Sequence, residues 1–449
     1  MRTFIHTSAL SEDQLWLAIA PALTKEGVDN ELFFFNGFVH FPQVLARGLL
    51  VLAEVTATRY FRYLPVPLSD PILSAQGDCL RAECFSACNS VYARLDLLKP
   101  GFDGEIGFGT TNVDIGVALR TSLAKVTLRD NMHLYIGTQG LKAARLRPSD
   151  EKLIHLKETI HQRPVQMPDR WVRALGNAAE IHQKMSPVFH LNRVQAHMFL
   201  SSVPSATGKN QSGWLLPTNT GAKLVPRKSK EAVYISGVHR LSALKRLLTT
   251  VEGLTFYMPD NHLLGHCLVE AQLPTARLTL GLTPEPWQAY SGEGALLPVL
   301  AQQEVLQNAK RLGDEMTFQA VINEQELGKK WQLGEQQVIA ALGQLATSGI
   351  LGYDAHAGAY FHRELPTEPS RLLKDNPRLA AARKLVDHVI REGEKQWLVD
   401  SGGVNYRVTF DSTRGIEAAV CTCAWYFKHQ NGRGPCKHIL AVQLKEEEL

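Results

Sequence analysis

No apolar run in this chain approaches the roughly 20 residues that a membrane-crossing helix needs. The opening stretch, MRTFIHTSALSEDQLWLAIAP, also lacks the unbroken apolar core of a secretory signal, because Ser11, Glu12, Asp13 and Gln14 interrupt it. Neither membrane insertion nor export is expected, and the expected compartment is the cytoplasm. Cysteine is scarce and odd in number, seven in 449 residues, which argues against a disulfide framework. An excess of one charge is missing as well: 48 Lys and Arg against 44 Asp and Glu leave a net +4. Such a balance permits a nucleic-acid partner without requiring one. Internal repeats, low-complexity tracts, a nucleophile elbow, a His-Glu-x-x-His pair and a dinucleotide fingerprint are all absent. No enzymatic activity is expected.

What remains is ordinary globular material, 45% hydrophobic and 20% charged, enough for more than one core. The expected fold is α+β and multidomain. Residues 1–163 mix helical and strand signals; SEDQLWLAIAPALTKEG suggests a capped helix closed by Gly27. RGLLVLAEVTATRYFRYL suits a buried strand or helix, GFDGEIGFGTTNVDIG a turn-rich loop, and MHLYIG a strand. Residues 164–300 form a β-rich middle, with strands expected at EAVYISG, GLTFYMPDNH and ARLTLGLTPEPW and a helix at LSALKRLLTTVEG ending at Gly253. Residues 301–366 carry three helical stretches, then two short strands about a glycine turn, a winged-helix-like order. PTEPSRLLKDNP reads as a linker, and residues 370–449 hold a basic helix over 378–391 and a cysteine-rich end.

That end, CTCAWYFKHQNGRGPCKH, holds the strongest signal in the chain. Cys421 and Cys423 stand two apart, which in extended backbone points both thiolates to one face. Cys436 and His438 repeat the spacing after a loop rich in turn formers, Asn431, Gly432, Gly434 and Pro435. The apolar ILAVQL behind His438 places the last ligands at a helix start. Three sulfurs and one imidazole close a tetrahedral site with no open position, so one structural Zn2+ is expected.

The Cys-x-Cys, loop, Cys-x-His pattern, with YRVTF upstream and CKHILAVQL downstream, resembles the SWIM zinc finger over about residues 396–445. The resemblance implies a small ββα module that binds DNA or other proteins; of the nucleic acids, DNA is expected ahead of RNA. Textures such as SACNSVYARLDLL and GTTNVD make the whole chain similar to bacterial SWIM-finger proteins. Some of those are associated with MoxR-type AAA ATPases and von Willebrand A proteins, so the alternative role is an adaptor in such a system.

Zinc with three thiolates and a neutral histidine carries a formal charge of about −1. Lys428, Arg433 and Lys437 lie beside it in sequence. Lys428 and Arg433 are candidate phosphate contacts, with Trp425, Tyr426 and Phe427 as stacking surfaces; alternatively the cations offset the cluster charge and the aromatics build the module's core. Lys437, between two ligands, suits local compensation. Arg383 and Lys384 on the basic helix are further nucleic-acid candidates, against the plainer reading of a solvated face. The winged-helix-like segment has eight acids against five cations, and Glu335 is the sole charge from Gly334 to Gly349. A recognition helix needs phosphate-contacting side chains, so this segment suits protein interaction or packing. Cys79, Cys84 and Cys88 fit buried helical cysteines better than a second metal site. GFGTTN fits a turn better than a phosphate loop, and neither Cys267 with His262 and His266 nor Glu285 with Glu293 has the third group a catalytic arrangement needs.

Overall fold

The stretch VYARLDLL, Val91–Leu98, is buried along almost its whole length. Its alternation therefore sorts two kinds of interior: Ala93, Leu95 and Leu97 on one face, Arg94 and Asp96 on the other. In the computed structural model, which describes residues 3–447 apart from 5–6, 12, 25–26, 30–32, 62–68, 138–162, 166, 169, 260–264, 295–296, 301–302, 317 and 366–375, this strand lies inside a ten-stranded sheet. Ala276–Leu282 pairs antiparallel with it on one side and Cys79–Phe85 on the other. Beyond the first lie Cys267–Leu273, Gly253–Pro259 and Met185–Asn192; beyond the second lie Ile72–Gln76, Phe108–Asn112, Ala22–Thr24 and Gly27–Asp29. The sheet thus runs across the boundary expected at residues 163–164, and one hydrophobic core contains Leu15 and Tyr290 alike. A second, five-stranded sheet joins Phe102–Ile106, Phe33–Val39, Met132–Gly137, Gln14–Ala18 and Ala9–Ser11.

Register decides what each face of the large sheet carries. Arg81 pairs with Asp96 and Asp96 with Arg277, while Glu83 pairs with Arg94 and Arg94 with Thr279. Three adjacent strands therefore gather their charged side chains on one face. The opposite face is apolar and lies under the helix Pro42–Ala57, where Gly48 lets the helix approach: a Cβ there would stand 2.7 Å from a methyl of Leu95.

The charged face is covered by the segment after residue 300. Its helices Gln303–Glu315, Glu324–Trp331 and Glu335–Thr347 share a core to which Ala179 of the helix Arg170–Gln183 contributes. The hairpin Leu351–Asp354 with Ala359–His362 then lowers its tip onto the sheet. Asp354 meets Arg94 at 2.8 Å, Arg277 at 2.8 Å and Arg81 at 3.5 Å. Arg363 binds both oxygens of Glu83, and His356 Nδ1 lies 2.8 Å from Glu270. Burial alone would raise the Asp354 carboxyl, but Arg94, Arg81 and Arg277 outweigh it and hold the group well below the usual carboxylate range.

Several local expectations are corrected. Residues 14–18 and 22–24 are strands, not a helix: Leu15, Leu17 and Ile19 are buried at every second position, and Pro21 stands between the two strands. RGLLVLAEVTA resolves as helix. The loop expected over residues 101–116 contains the two strands Phe102–Ile106 and Phe108–Asn112. Cys79 and Cys84 lie on a strand and Cys88 in the turn after it, so none is helical. The helix expected before Gly253 is a 3-10 helix, Val238–Leu247, and Gly253 opens a strand. The basic helix ends early, at Pro377–Arg383; β-branched Val389 and Ile390 continue as the strand Val389–Arg391, paired with Gln396–Asp400. Of the linker expected at 366–377, residues 366–375 fall outside the described residues and Pro377 opens the next helix. Among the described residues no helix is long and apolar enough to cross a membrane.

Candidate metal centre

The last module is a four-stranded antiparallel sheet, Val389–Arg391, Gln396–Asp400, Asn405–Thr409 and Val420–Cys421, followed by two helices. Trp397, Val399 and Val408 face a core completed by Ile439, Leu440 and Val442 of the helix Lys437–Glu446. Cys421 ends the edge strand, and Cys423 caps the helix Ala424–His429 by accepting from the Tyr426 amide at 3.4 Å. Cys436 caps the last helix in the same way, accepting from the Ile439 amide at 3.5 Å, and His438 stands one residue further on. Two helix N-termini thus point amide hydrogens at two of the three sulfurs, which favours thiolates there.

The ligand atoms of Cys421, Cys423, Cys436 and His438 all lie within 4.8 Å of one another, and all four residues are buried. His438 Nδ1 is 3.7 Å from Cys421 Sγ and 4.0 Å from Cys436 Sγ. A tetrahedral zinc with bonds of about 2.3 Å to sulfur and about 2.05 Å to nitrogen requires sulfur–nitrogen edges near ~3.6 Å. The cluster fits one structural Zn2+. Tyr406 holds the imidazole by stacking on it, with centroids 4.2 Å apart. Without a cation, hydrogen bonding from Cys421 and then from Cys436 drives the Cys423 thiol far down, and the same bond to Cys423 drives Cys421 up. Zinc would hold all three sulfurs as thiolates.

Residues 406–445 match the SWIM zinc finger family model. No curated protein matches the chain. Among solved structures, proliferating cellular nuclear antigen from Entamoeba histolytica aligns at 10% identity over 56% of this chain and 99% of its own, with a TM-score of 0.34. The PCNA2–PCNA3 complex from Sulfolobus tokodaii aligns at 9% identity over 56% and 98%, with a TM-score of 0.35. Scores this low do not establish a shared fold.

The SWIM finger is docked against the middle of the chain, with Arg433 among the residues that dock it. Its guanidinium donates to the Gly292 carbonyl at 3.0 Å and lies 3.6 Å from the buried Glu293 carboxylate. Gly434 beside it has φ +77°, and a Cβ there would run into the Gly294 carbonyl oxygen, so only glycine allows the two backbones to meet. Arg378 donates to the carbonyls of Arg433 and Pro435 at 2.8 and 3.2 Å and lies 4.5 Å over the Trp425 ring. Burial, then the charge of Arg433, lowers its guanidinium to about 10. Leu297 joins the finger's core, and Gln443 bonds to the Pro298 carbonyl. No pattern in the sequence links Arg433 to Glu293 or Arg378 to the ligand loop; these are contacts between distant segments.

Of the other candidates, Lys428 is exposed at the end of its helix, and Arg383 and Lys384 are exposed at the end of theirs. Lys437 donates to Ser401 Oγ at 2.8 Å. Among the aromatics, Trp425 and Tyr426 pack partly against the core, whereas Phe427 is 86% exposed. Burial pushes the thiols of Cys79 and Cys267 up to about 12, and that of Cys84 well above its ordinary value. Cys267 is a core residue of its strand, and His262 lies outside the described residues. Glu285 accepts from Ser236 at 2.8 Å, whereas Glu293 faces His266 at 3.8 Å and Arg433.

Proposed function

We propose that this is a non-catalytic, zinc-stabilised binding protein whose SWIM finger contacts DNA through Lys428, Arg383 and Lys384. The observation that carries the reading is the helix Ala424–His429. A zinc ligand caps its first turn, and its outer side offers Phe427, 86% exposed, next to exposed Lys428. An aromatic ring beside a cation, held rigid by metal, suits a base stacked next to a phosphate. Arg433 leaves the contact set because it is engaged with Gly292 and Glu293. The winged-helix-like segment is a packing element in this reading: its last helix is buried and its hairpin tip is tied down by arginines. The absence of catalysis is supported by the inaccessible, burial-raised thiol of Cys267.

A protein-binding role is favoured by a different observation. On the outer face of the finger's sheet, Ile390, Leu398 and Arg407 align across three strands, and Val420 stands beside Thr409. Ile390 is 61% and Val420 47% exposed. An adaptor for an AAA ATPase would use this face. Fluorescence anisotropy with labelled DNA and RNA across a salt series separates the readings. DNA binding that weakens with salt and falls about tenfold in a Lys428→Ala, Arg383→Ala, Lys384→Ala variant supports the first. Absence of binding at low salt, with partner capture lost on Ile390→Asp, supports the second.

A further inference from the structure

The chain's positive charge is concentrated away from the zinc. From Met185 to Val251 there are nine lysines and arginines against one acid, Glu231, although the whole chain nets only +4. Between Lys209 and Lys230 there is no acidic residue. This stretch contains a small sheet of its own, in the order Gly221–Val225, Gly213–Thr218, Val233–Ile235, set between two strands of the large sheet. Its register sorts the side chains cleanly. Leu215, Val233 and Ile235 face inward and are fully buried. Trp214 lies opposite Val225 on one side and Tyr234 on the other, and Leu216 opposite Lys223, so these share the outer face.

That outer face carries a ring pair and Lys223, and unneutralised cations lie on the segments flanking its strands. Trp214 and Tyr234 are half-buried, with centroids 5.5 Å apart in an edge-on arrangement. Lys228 Nζ lies 5.5 Å from the Trp214 centroid. Lys209, Lys223, Arg227, Lys228 and Lys230 are exposed, and among the described residues none has a carboxylate within ion-pair distance. Like charges gathered on one short segment repel one another, and among the described residues no carboxylate pairs with them. The complementary ligand is a polyanion that also presents flat rings.

We propose that this three-stranded insert is a second binding surface, independent of the SWIM finger, that takes single-stranded nucleic acid. Arg227, Lys228 and Lys230 hold successive phosphates, and bases stack on Trp214 and Tyr234. A base seated on Trp214 brings its phosphate within reach of Lys228. Duplexes bury their base faces and can use only the cations, so the surface prefers single strands.

The test is anisotropy of labelled single-stranded and duplex DNA of about 20 nucleotides with the zinc-loaded full chain. Changing Arg227, Lys228 and Lys230 to alanine is expected to weaken single-strand binding at least about tenfold and to flatten the logarithmic salt slope by about 2. Trp214→Leu is expected to cost about fivefold or more on single strands and little on duplex, with Trp214→Phe restoring affinity. All the cation changes are at exposed positions, so the triple variant reports on binding even if a tryptophan variant misfolds. Lys125→Ala, an exposed cation outside both the insert and the finger, is expected to leave the single-strand affinity unchanged, which ties the loss to this surface. Unchanged single-strand affinity in the triple variant overturns the proposal. So does equal loss on single strand, duplex and heparin without a Trp214 effect, which marks a surface for acidic partners in general.

Discussion

The zinc cluster and the arginine network under the Leu351–His362 hairpin are both buried polar centres, but they are assembled over different distances. Cys421 and His438 are 17 positions apart, whereas Arg81 and Asp354, which meet on the charged face of the sheet, are 273 apart. The first centre gathers ligands from one turn-rich stretch, and metal coordination supplies the energy that orders it. The second must wait until distant strands have paired, because its members become neighbours only through register. It is worth little as attraction, since buried ion pairs roughly repay their desolvation, but it is costly to break once formed. The finger is therefore a locally coded unit, and the hairpin contact is a seal made late and at long range.

Removing the metal tests the locality of the finger and has the largest expected effect. Coordination in such modules is worth on the order of 10 kcal/mol. Chelation should strip hydrogen-exchange protection from residues 389–446 and from the Gly292–Pro298 contact, while the strand Val91–Leu98 keeps its protection. Loss of protection in both places would abolish the distinction between the two centres.

Asp354→Asn probes the seal. It leaves the buried Arg94, Arg81 and Arg277 with Asp96 as their one remaining shared carboxylate among the described residues, and a loss of about 3 kcal/mol is expected in urea unfolding. A variant as stable as the parent would mean that the charged face tolerates solvent. Arg433→Ala should cost about 1–2 kcal/mol, with zinc content unchanged and Gly292 more accessible to exchange. If it lowered nucleic-acid affinity and left exchange at Gly292 alone, Arg433 would be a ligand contact after all.

The smallest effect is expected from pH. His356 is raised by its hydrogen bond to Glu270. A raised histidine contributes stability below its unfolded value, near ~6.5, and loses it as pH climbs through the folded value. The melting temperature should thus drift down slightly as pH rises above neutrality, and His356→Ala should flatten that drift.

The fold was legible where neighbours in sequence decide the outcome. The three helical stretches after residue 302 and the hairpin behind them carry their own periodicity and turn residues. The finger's ligands and the helix behind His438 were legible for the same reason. Residues 11–27 mislead because Ser11 and Gln14 imitate a helix cap, while the alternation of Leu15, Leu17 and Ile19 is the signal that pairing obeys. Residues 384–391 mislead because basic composition resembles a helix face, yet the β-branched pair Val389 and Ile390 extends a sheet. The cations of the Lys209–Lys230 stretch were in plain view, but only the register that puts Lys223 on the face of Trp214, and the approach of Lys228 to that ring, give them a use.

The sequence by itself determined the zinc ligands, the turn that brings them together and the apolar helix packed beneath, because these depend on spacing within one short segment. Only the tertiary structure decided that strands before and after residue 163 share a sheet, that Asp354 seals three arginines, and that Arg433 faces Glu293. Each of those contacts closes a long loop whose entropy cost falls on the whole chain. Each is fixed by a strand register that no local residue pattern specifies, because a slip of one residue would turn every side chain to the other face.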